Sequence, residues 1–426
     1  MARTRSTSAP ILTSSASLRL RVNLSPPAAP ALAAAPAAPA AVAPAAISVS
    51  ALRKSFSGTP LLDSLSFAVA PSECFFILGP SASGKTTLLR LLAGILPADS
   101  GEIRIFDVDA AQLSRQSRRT AFLSQRDSLW PHLTLRENLE FQHSQNTPAV
   151  APSVAAPVAA AAVAAAAVPS ASAAIEQTRA AAQELLTAFG LEALATRRPA
   201  ELSASERCRA ALARALATDP AVLLLDDPFL CLAPDQRRRA WQHIRRLCAD
   251  TGLAAICVTQ HLPDAFAFAD RAAFLANGFF HQIASPCELY RRPATRLTGE
   301  FLSGANVIEG ILLYAGAGEF IAKTPLGEIR GSLADPAADP KQGVRIDILI
   351  RPESLHLDTF PPEENVFSGA ILSGDFCGEY SHLCFRSVSG HELRVADLNP
   401  RVTGSAFAQK DIYLWSLPED ITGILR

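Results

Sequence analysis

Residues Gly79–Thr86 read GPSASGKT, a full match to the pattern G-x4-G-K-[ST] of a phosphate-binding loop. The apolar run Cys74–Leu78 before the motif is typical of a buried parallel strand, and the pattern over Lys85–Leu96 after it predicts a helix. Glycines let the backbone curl so that successive N–H groups point at phosphate oxygens, and the helix N-terminus adds partial positive charge. Lys85 is therefore predicted to reach the β- and γ-phosphates of a nucleotide, and Thr86 to offer its hydroxyl to Mg²⁺.

A second motif, Val222–Pro228, reads VLLLDDP. Four apolar residues that end in an acid predict a buried strand that delivers Asp226 to the Mg²⁺ shell, and Asp227 follows where a general base would stand. One aspartate at a strand end is a common structural feature, but the two motifs in this order favour a nucleotide site.

Strand and helix patterns alternate through the first part of the chain. The helix after the phosphate loop is predicted to bury one face, formed by Leu88, Leu89, Leu92 and Ile95. The other predicted elements are strands at Ile47–Phe56, Leu61–Ala70, Val222–Leu225 and Ala254–Thr259, and a helix at Pro234–Ala249. This alternation predicts an α/β layer architecture with a largely parallel sheet.

The pattern changes after about Asn306, where Gly and Pro punctuate short apolar runs. These runs are Ile308–Leu313, Val344–Ile350, Ser368–Leu372, His382–Val388 and Asp411–Trp415. They predict a separate small β-barrel or sandwich.

Composition excludes few classes of protein. The formal net charge of -1 gives no basic field, so nucleic acid is not implied as a partner. The eight cysteines have no paired ligand spacing, which indicates small buried hydrophobic residues in a reducing compartment. Residues 27–47 and 148–174 are rich in Ala, Val and Pro and are predicted to be linkers, so any work at a membrane would be that of a peripheral subunit.

The N-terminal residues 1–24 contain arginine, serine and threonine but no acidic residue. Such a composition fits an organellar transit peptide and also a disordered bacterial extension, and both interpretations stay open.

With these motifs in place, the chain resembles ABC transporter ATPases of the importer group that includes the ferric iron, polyamine, sulfate and maltose systems. Phe56 stands at the position of the aromatic residue that stacks on adenine. Gln125, within the stretch FLSQRDSLWPHLT of residues 122–134, matches the glutamine of the Q-loop, which in the family approaches Mg²⁺ and the attacking water. The resemblance runs from about Ile47 to the C-terminus, apart from an Ala/Pro-rich insert at 144–176.

The resemblance implies an α/β P-loop NTPase fold of the ABC type, with a parallel sheet and a helical subdomain, and ATP and Mg²⁺ as cofactors. The implied nucleotide contacts are Phe56, Gly79, Ser81, Ser83, Gly84, Lys85, Thr86, Thr87 and Ser203. The implied metal contacts are Thr86, Asp226 and Gln125. The implied catalytic residues are Asp227, Gln125, Gln260 and His261.

The signature segment departs from the family pattern LSGGQ. Its counterpart, residues 202–206, reads LSASE, so that Ala204 and Ser205 replace the glycines and Glu206 replaces the glutamine. In the family this loop closes over the γ-phosphate held by the opposite subunit. Added side chains and a carboxylate are expected to weaken that contact, although Ser203 remains as a donor.

Three more departures concern hydrolysis. The family's catalytic glutamate is Asp227 here, and a misplacement of ~1 Å can cost ~10²-fold in rate. The D-loop aspartate corresponds to Ala233, and the switch histidine corresponds to Gln260. His261 lies one residue after the position of the switch histidine. On a strand, an offset of one residue turns a side chain to the other face, so His261 could replace the switch histidine only if the strand end shifts. We therefore predict ATP binding with slow turnover, or pairing with a better-equipped subunit.

The predicted domains are an extension at 1–46, an ABC nucleotide-binding domain at 47–300 and an all-β, OB-like or TOBE domain at 301–426. Residues 288–295 (ELYRRPAT) and 350–353 (IRPE) resemble the importer group in and before that last domain. The resemblance implies partner permease subunits, a solute-binding protein of iron(III) or polyamine type, and a homodimer or heterodimer of nucleotide-binding domains. It places the chain at the cytoplasmic face of the inner membrane, or in an organelle if residues 1–24 are a transit peptide. A regulatory subunit without useful turnover and a soluble P-loop protein are the alternatives.

Overall fold

The computed structural model describes residues 45–114, 117–124, 129–144, 171–358, 364–398 and 412–426. Gln125 and most of the predicted extension and insert lie outside these residues. Contacts divide the chain into two units, one drawn from 1–55, 64–74 and 86–258, and the other from 56–63, 75–85 and 259–426. The predicted domain boundary between residues 300 and 301 stays a prediction.

The strands and helices alternate in the first part of the chain, and strands dominate after residue 306. The strands are β1 (Ile47–Phe56), β2 (Thr59–Val69), β3 (Cys74–Leu78), β4 (Ser100–Ile105), β5 (Val108–Asp109), β6 (Thr120–Leu123), β7 (Val222–Asp226), β8 (Ala254–Thr259), β9 (Arg271–Ala276), β10 (Phe279–Ala284), β11 (Asn306–Gly316), β12 (Glu319–Thr324), β13 (Gly327–Leu333), β14 (Arg345–Ile350), β15 (His356–Asp358), β16 (Val366–Phe376), β17 (Tyr380–Ser387), β18 (Glu392–Leu398), β19 (Ile412–Trp415) and β20 (Ile421–Leu425). The helices are α1 (Lys85–Leu92), α2 (Leu135–Ser144), α3 (Ala171–Ala188), α4 (Ala204–Leu216), α5 (Pro234–Thr251), α6 (Leu262–Phe268), α7 (Pro286–Arg291) and α8 (Arg296–Ser303).

In the first unit, β6, β7 and β8 form a parallel set in the order β8-β7-β6. The apolar residues of β7 and all of β8 are buried, as expected for parallel strands covered on both faces. Helix α2 packs against α3 and α4 in the same unit. In the second unit, β3 pairs in parallel with β9, and β9 pairs with β10 in antiparallel fashion. The predicted α/β architecture is therefore confirmed.

Helix α1 is shorter than predicted. It ends at Leu92 rather than Leu96, because Gly94 adopts a left-handed φ of +69° and its N–H donates to the carbonyl of Leu91. The N–H of Ile95 reaches back to the carbonyl of Arg90, which completes a Schellman motif. Ile95, predicted to be buried, is 37% exposed, so that prediction was wrong.

The insert also needs a correction at its end. Residues 171–176, predicted as part of a linker, form the first turns of α3. Alanine is the best helix former, so this alanine-rich stretch favours a helix.

The chain after residue 306 forms a closed five-stranded barrel and a second five-stranded sheet. The barrel order is β11-β12-β13-β20-β14, and the sheet order is β15-β19-β16-β17-β18. Buried side chains from both, among them Phe320, Ile348, Phe385 and Leu414, belong to one hydrophobic cluster. The sequence alone left barrel and sandwich as alternatives, and the structure contains a barrel joined to a sheet by a common core. Within the described ranges, no helix is both long and apolar enough to span a membrane.

Candidate nucleotide-binding site

The phosphate loop joins the end of β3 to the start of α1, and both of its glycines are required by their surroundings. A Cβ on Gly79 would lie 2.1 Å from the carbonyl oxygen of Leu275. Gly84 has a left-handed φ of +96°, and a Cβ there would lie 2.6 Å from a methyl carbon of Leu62. The backbone can therefore curl as a phosphate cradle requires only with glycine at these two positions.

Lys85 is folded over this loop and is only 6% exposed. Its Nζ donates to the carbonyl oxygens of Gly79 at 2.9 Å and Pro80 at 2.6 Å, and to the hydroxyl of the buried Ser83 at 3.3 Å. An ammonium group has three donors, so these acceptors offset the cost of burying its charge. The arrangement holds a positive charge inside the loop, where the phosphates of a nucleotide would provide better acceptors.

Thr86, the next residue, contacts the end of β7. Its Oγ1 donates to Oδ1 of Asp226 at 3.0 Å. A hydroxyl and a carboxylate side by side are oxygen ligands of the kind that Mg²⁺ prefers, together with water and phosphate oxygens. The chemistry of this pair fits the predicted metal site, while the third predicted ligand, Gln125, lies outside the described residues.

Asp227 has a special backbone conformation. It adopts a left-handed φ of +44° directly before Pro228, and its N–H donates to the carbonyl of Val258 at 3.0 Å. Its Oδ1 is buried and has no hydrogen-bond partner within the part of the chain that the structure describes. A buried acceptor left unpaired costs about 1–3 kcal/mol, and such strained, unsatisfied groups cluster at functional sites. The carboxylate is thus able to accept a hydrogen bond from a water molecule.

The structure distinguishes Gln260 from His261. Oε1 of Gln260 accepts a hydrogen bond from the Ser81 hydroxyl of the phosphate loop at 3.2 Å. His261 instead precedes α6, with its N–H bonded to the Thr259 hydroxyl and its Nδ1 3.3 Å from Oδ2 of Asp264. Gln260 is therefore hydrogen-bonded to the phosphate loop, and His261 contacts Asp264. The catalytic roles predicted for both residues stay predictions.

Ser203 and Glu206 of the signature segment form a reciprocal cap at the start of α4. The Ser203 hydroxyl accepts from the N–H of Glu206 at 3.3 Å, and the N–H of Ser203 donates to Oε2 of Glu206 at 2.7 Å. The hydrogen bond from the backbone N–H of Ser203, and after it one from the Ser203 hydroxyl, hold the pKa of the Glu206 carboxyl below its ordinary value. The prediction treated Glu206 only as a repulsive charge; its pattern S-x-x-E was a readable capping-box signal.

The remaining predicted contacts are simple to place. Phe56 ends β1 with 46% of its surface exposed, as a stacking platform requires. Thr87 lies half-buried in the first turn of α1. The structure thus shows Lys85 and Ser83 in one hydrogen-bond group, Ser81 with Gln260 in another, and Thr86 with Asp226 in a third.

Sequence reasoning missed a polar anchor in the segment that follows Gln125. Asn138 is fully buried, accepts from the N–H of Trp130 and donates to the carbonyls of Trp130, Leu133 and Thr134. The guanidinium of Arg214, on α4, lies over the Trp130 ring at 4.4 Å from its centroid. The sequence signal of this arrangement is an asparagine in the first turn of α2.

Comparison with known proteins gives the class directly. A family model described as ABC transporter matches residues 62–230. The sulfate/thiosulfate import ATP-binding protein of Xanthomonas campestris pv. campestris is 36% identical over 315 residues, covering 72% of this chain and 81% of the relative. The spermidine/putrescine import ATP-binding protein of Mesorhizobium japonicum is 30% identical over 365 residues, covering 86% and 92%. A solved nucleotide-free ATP-binding cassette from an ABC transporter aligns with 56% of this chain and 90% of its own, at a TM-score of 0.47 and 22% identity.

The matched family is that of ABC transporters. Within it, the chain belongs to the ATP-binding subunits of the importer group. The family and the fold class predicted from the motifs are confirmed.

Proposed function

We propose that this chain binds ATP with Mg²⁺ and couples it to the import of a solute through partner membrane subunits. The observation that supports this best is the contact of Thr86 with Asp226 at 3.0 Å, directly after a loop that encloses the Lys85 ammonium group. Lys85 would exchange its carbonyl acceptors for phosphate oxygens. Mg²⁺, when bound, would neutralise phosphate charge from the site that Thr86 and Asp226 form.

Slow turnover is the second part of the proposal. Asp227 would accept a proton from the attacking water, but its carboxylate is one methylene shorter than the glutamate of the family. Gln260, which accepts from Ser81, has a side-chain amide left to donate to a phosphate oxygen, yet it cannot carry a proton as a histidine can. Both substitutions reduce hydrolysis more than binding.

The solute and the partners are proposed from the relatives. The two relatives named above are import proteins for sulfate/thiosulfate and for spermidine/putrescine. A polyamine or an oxyanion is therefore the proposed solute class, and iron(III), the other predicted solute, has no relative in its favour among them. We further propose that its partners are permease subunits and a solute-binding protein, and that its nucleotide-binding domains form a dimer. The proposed location is a peripheral position at the cytoplasmic face of the membrane. The proposed domains are 47–300 and 301–426.

A regulatory subunit that binds nucleotide without useful turnover is the second candidate. Two observations favour it, namely Ala233 at the D-loop position and the capped helix start that replaces the signature glycines.

The deciding experiment measures ATP affinity and steady-state ATP turnover of the purified full chain, alone and with candidate permease subunits. Lys85→Ala serves as the blank, and His261→Ala is the matched control that leaves the loop contacts intact. Turnover that disappears in Lys85→Ala supports the transport ATPase. Binding that depends on Lys85 with turnover at the level of the blank supports the regulatory subunit, and the absence of Lys85-dependent binding overturns both.

A further inference from the structure

Asp99 lies directly before β4 and is hydrogen-bonded to three successive residues at the end of β1. Its N–H donates to the carbonyl oxygen of Arg53 at 3.1 Å. Its Oδ1 accepts from Nζ of Lys54 at 2.6 Å, and its Oδ2 accepts from the N–H of Ser55 at 2.6 Å. The next residue is Phe56, so one aspartate holds the whole backbone segment that leads to the exposed ring.

The carboxylate continues the support that β4 gives to β1. Within the described residues, the pairing of β1 with β4 ends at Arg53 and Ser100. The N–H of Ser55, two residues further, points to the same side of the strand and has the Asp99 carboxylate as its acceptor. The ammonium of Lys54, a residue only 9% exposed, contacts the other oxygen of the same carboxylate. The hydrogen bond from Lys54, and after it that from the N–H of Ser55, hold the pKa of the Asp99 carboxyl below its ordinary value.

We propose that Asp99 is a positioning residue for the adenine base of ATP, which acts by fixing the backbone from which the Phe56 ring projects. This role rests on the proposed binding of ATP. Phe56 is 46% exposed, so its ring offers a surface on which a base can stack. A platform at a strand end binds more tightly when its backbone is already fixed, because less freedom is lost on binding.

Both oxygens of Asp99 are needed for this support. An asparagine side chain has one acceptor oxygen and an NH₂ group that can only donate. Asp99→Asn can therefore accept from Lys54 or from Ser55, but not from both. The hydrogen bonds of Asp99 described above go to β1, and none of them reaches the phosphate loop. The substitution should thus loosen the base platform and leave the phosphate contacts intact.

The test compares two ligands that differ by the base. The full chain is titrated by calorimetry with ATP and with inorganic tripolyphosphate, each with Mg²⁺. Asp99→Asn should lower the affinity for ATP by about tenfold, the order expected when a base loses an aromatic stack. It should leave the affinity for tripolyphosphate within about twofold. Lys85→Ala should lower both affinities. Asp107→Asn is the matched control, because it makes the same charge change at an exposed residue of the turn after β4 and should alter neither.

A double variant tests whether Asp99 acts through Phe56. Phe56→Leu should show the same selective loss for ATP, and Phe56→Leu combined with Asp99→Asn should lose no more than Phe56→Leu alone. Losses that add in the double variant overturn the proposal. An equal loss for ATP and tripolyphosphate in Asp99→Asn, or affinities equal to those of Asp107→Asn, overturns it as well.

Failure of this role and failure of the proposed function give different results. A chain that shows no Lys85-dependent binding of either ligand contradicts the proposed binding of ATP, and the role of Asp99 falls with it. A chain that binds both ligands through Lys85, but shows no selective loss of ATP in Asp99→Asn, contradicts the role of Asp99 alone.

Discussion

The phosphate loop and the signature segment are both glycine-rich motifs in the family, and only the first keeps its glycines in this chain. Around Gly79 a carbonyl oxygen occupies the space that a side chain would need, at 2.1 Å from the position of a Cβ. At the signature, Ala204 and Ser205 have become the first residues of α4, whose start is capped by Ser203 and Glu206. Glycine is present in the phosphate loop, where the surrounding backbone leaves no room for a side chain. At the signature segment, which the proposed dimer would bring against a second subunit, an ordinary helix start stands in place of the glycines.

The largest effect is expected in the phosphate loop. Gly79→Ala should lower ATP affinity by ~100-fold or more, because a backbone contact this close puts the cost of displacing the loop at about 3 kcal/mol, and the displaced loop no longer presents its N–H groups to phosphate. Titration with a fluorescent ATP analogue measures this. Ala204→Gly is the matched control in the other motif and should leave affinity within about twofold; equal losses in the two variants would remove the distinction between the motifs.

A smaller gain is expected at the candidate base. Asp227→Glu extends the carboxylate by one methylene and should raise ATP turnover by ~10–100-fold with unchanged ATP affinity. Asp227→Asn, which cannot accept a proton, should lower turnover to the level of Lys85→Ala. If Asp227→Glu lowers turnover, the carboxylate already stands at the productive distance and the argument from side-chain length fails.

The third effect concerns the stability of α4. Ser203→Ala removes the cap and should lower the free energy of unfolding by about 1 kcal/mol, as measured by urea denaturation. Ser205 lies two residues after Ser203 and takes no part in the cap. Ser205→Ala should therefore change the free energy of unfolding by less than ~0.5 kcal/mol. A similar loss in both variants would indicate that serine at these positions stabilises α4 by some means other than the cap.

The smallest effect is a pH dependence. Because the folded-state pKa of Glu206 lies below its ordinary value, its contribution to stability is present above the pKa of an unfolded glutamate, about 4.3, and is lost as the pH falls through the lowered value. Glu206→Gln should therefore flatten the decline in unfolding free energy between about pH 5 and pH 3. Ser203→Ala, which deletes one partner of the same carboxylate, should flatten it in part, and an unchanged slope in both variants would contradict the cap.

Local signals explain what the sequence could predict. β3 and β8 were predicted with the bounds that are observed, since buried parallel strands are continuous apolar runs. The phosphate loop and the acidic end of β7 were equally readable, because backbone curvature and phosphate contact demand particular residue types at fixed spacing.

Contacts distant in the sequence explain what was missed. β12 (EFIAKT) and β13 (GEIRGSL) have weak alternation of their own and depend on barrel neighbours for their pairing. The sequence placed Gln260 at the switch position, but its hydrogen bond with the Ser81 hydroxyl could not be predicted, because the two residues are 179 positions apart. The cap at Glu206 was readable but was overlooked, because comparison with the family pattern drew attention to the charge that had been introduced.

Helix α4 begins at the signature segment and, near its other end, carries Arg214 over the Trp130 ring. A helix of its 13 residues is a stiff rod of about 20 Å, so its two ends move together. The backbone of Trp130 is in turn held by the buried Asn138, and its ring packs edge-on against Phe141. Because Ser203 and Arg214 stand near opposite ends of α4, we expect a displacement of Trp130 to reach Ser203 as a displacement of the whole helix.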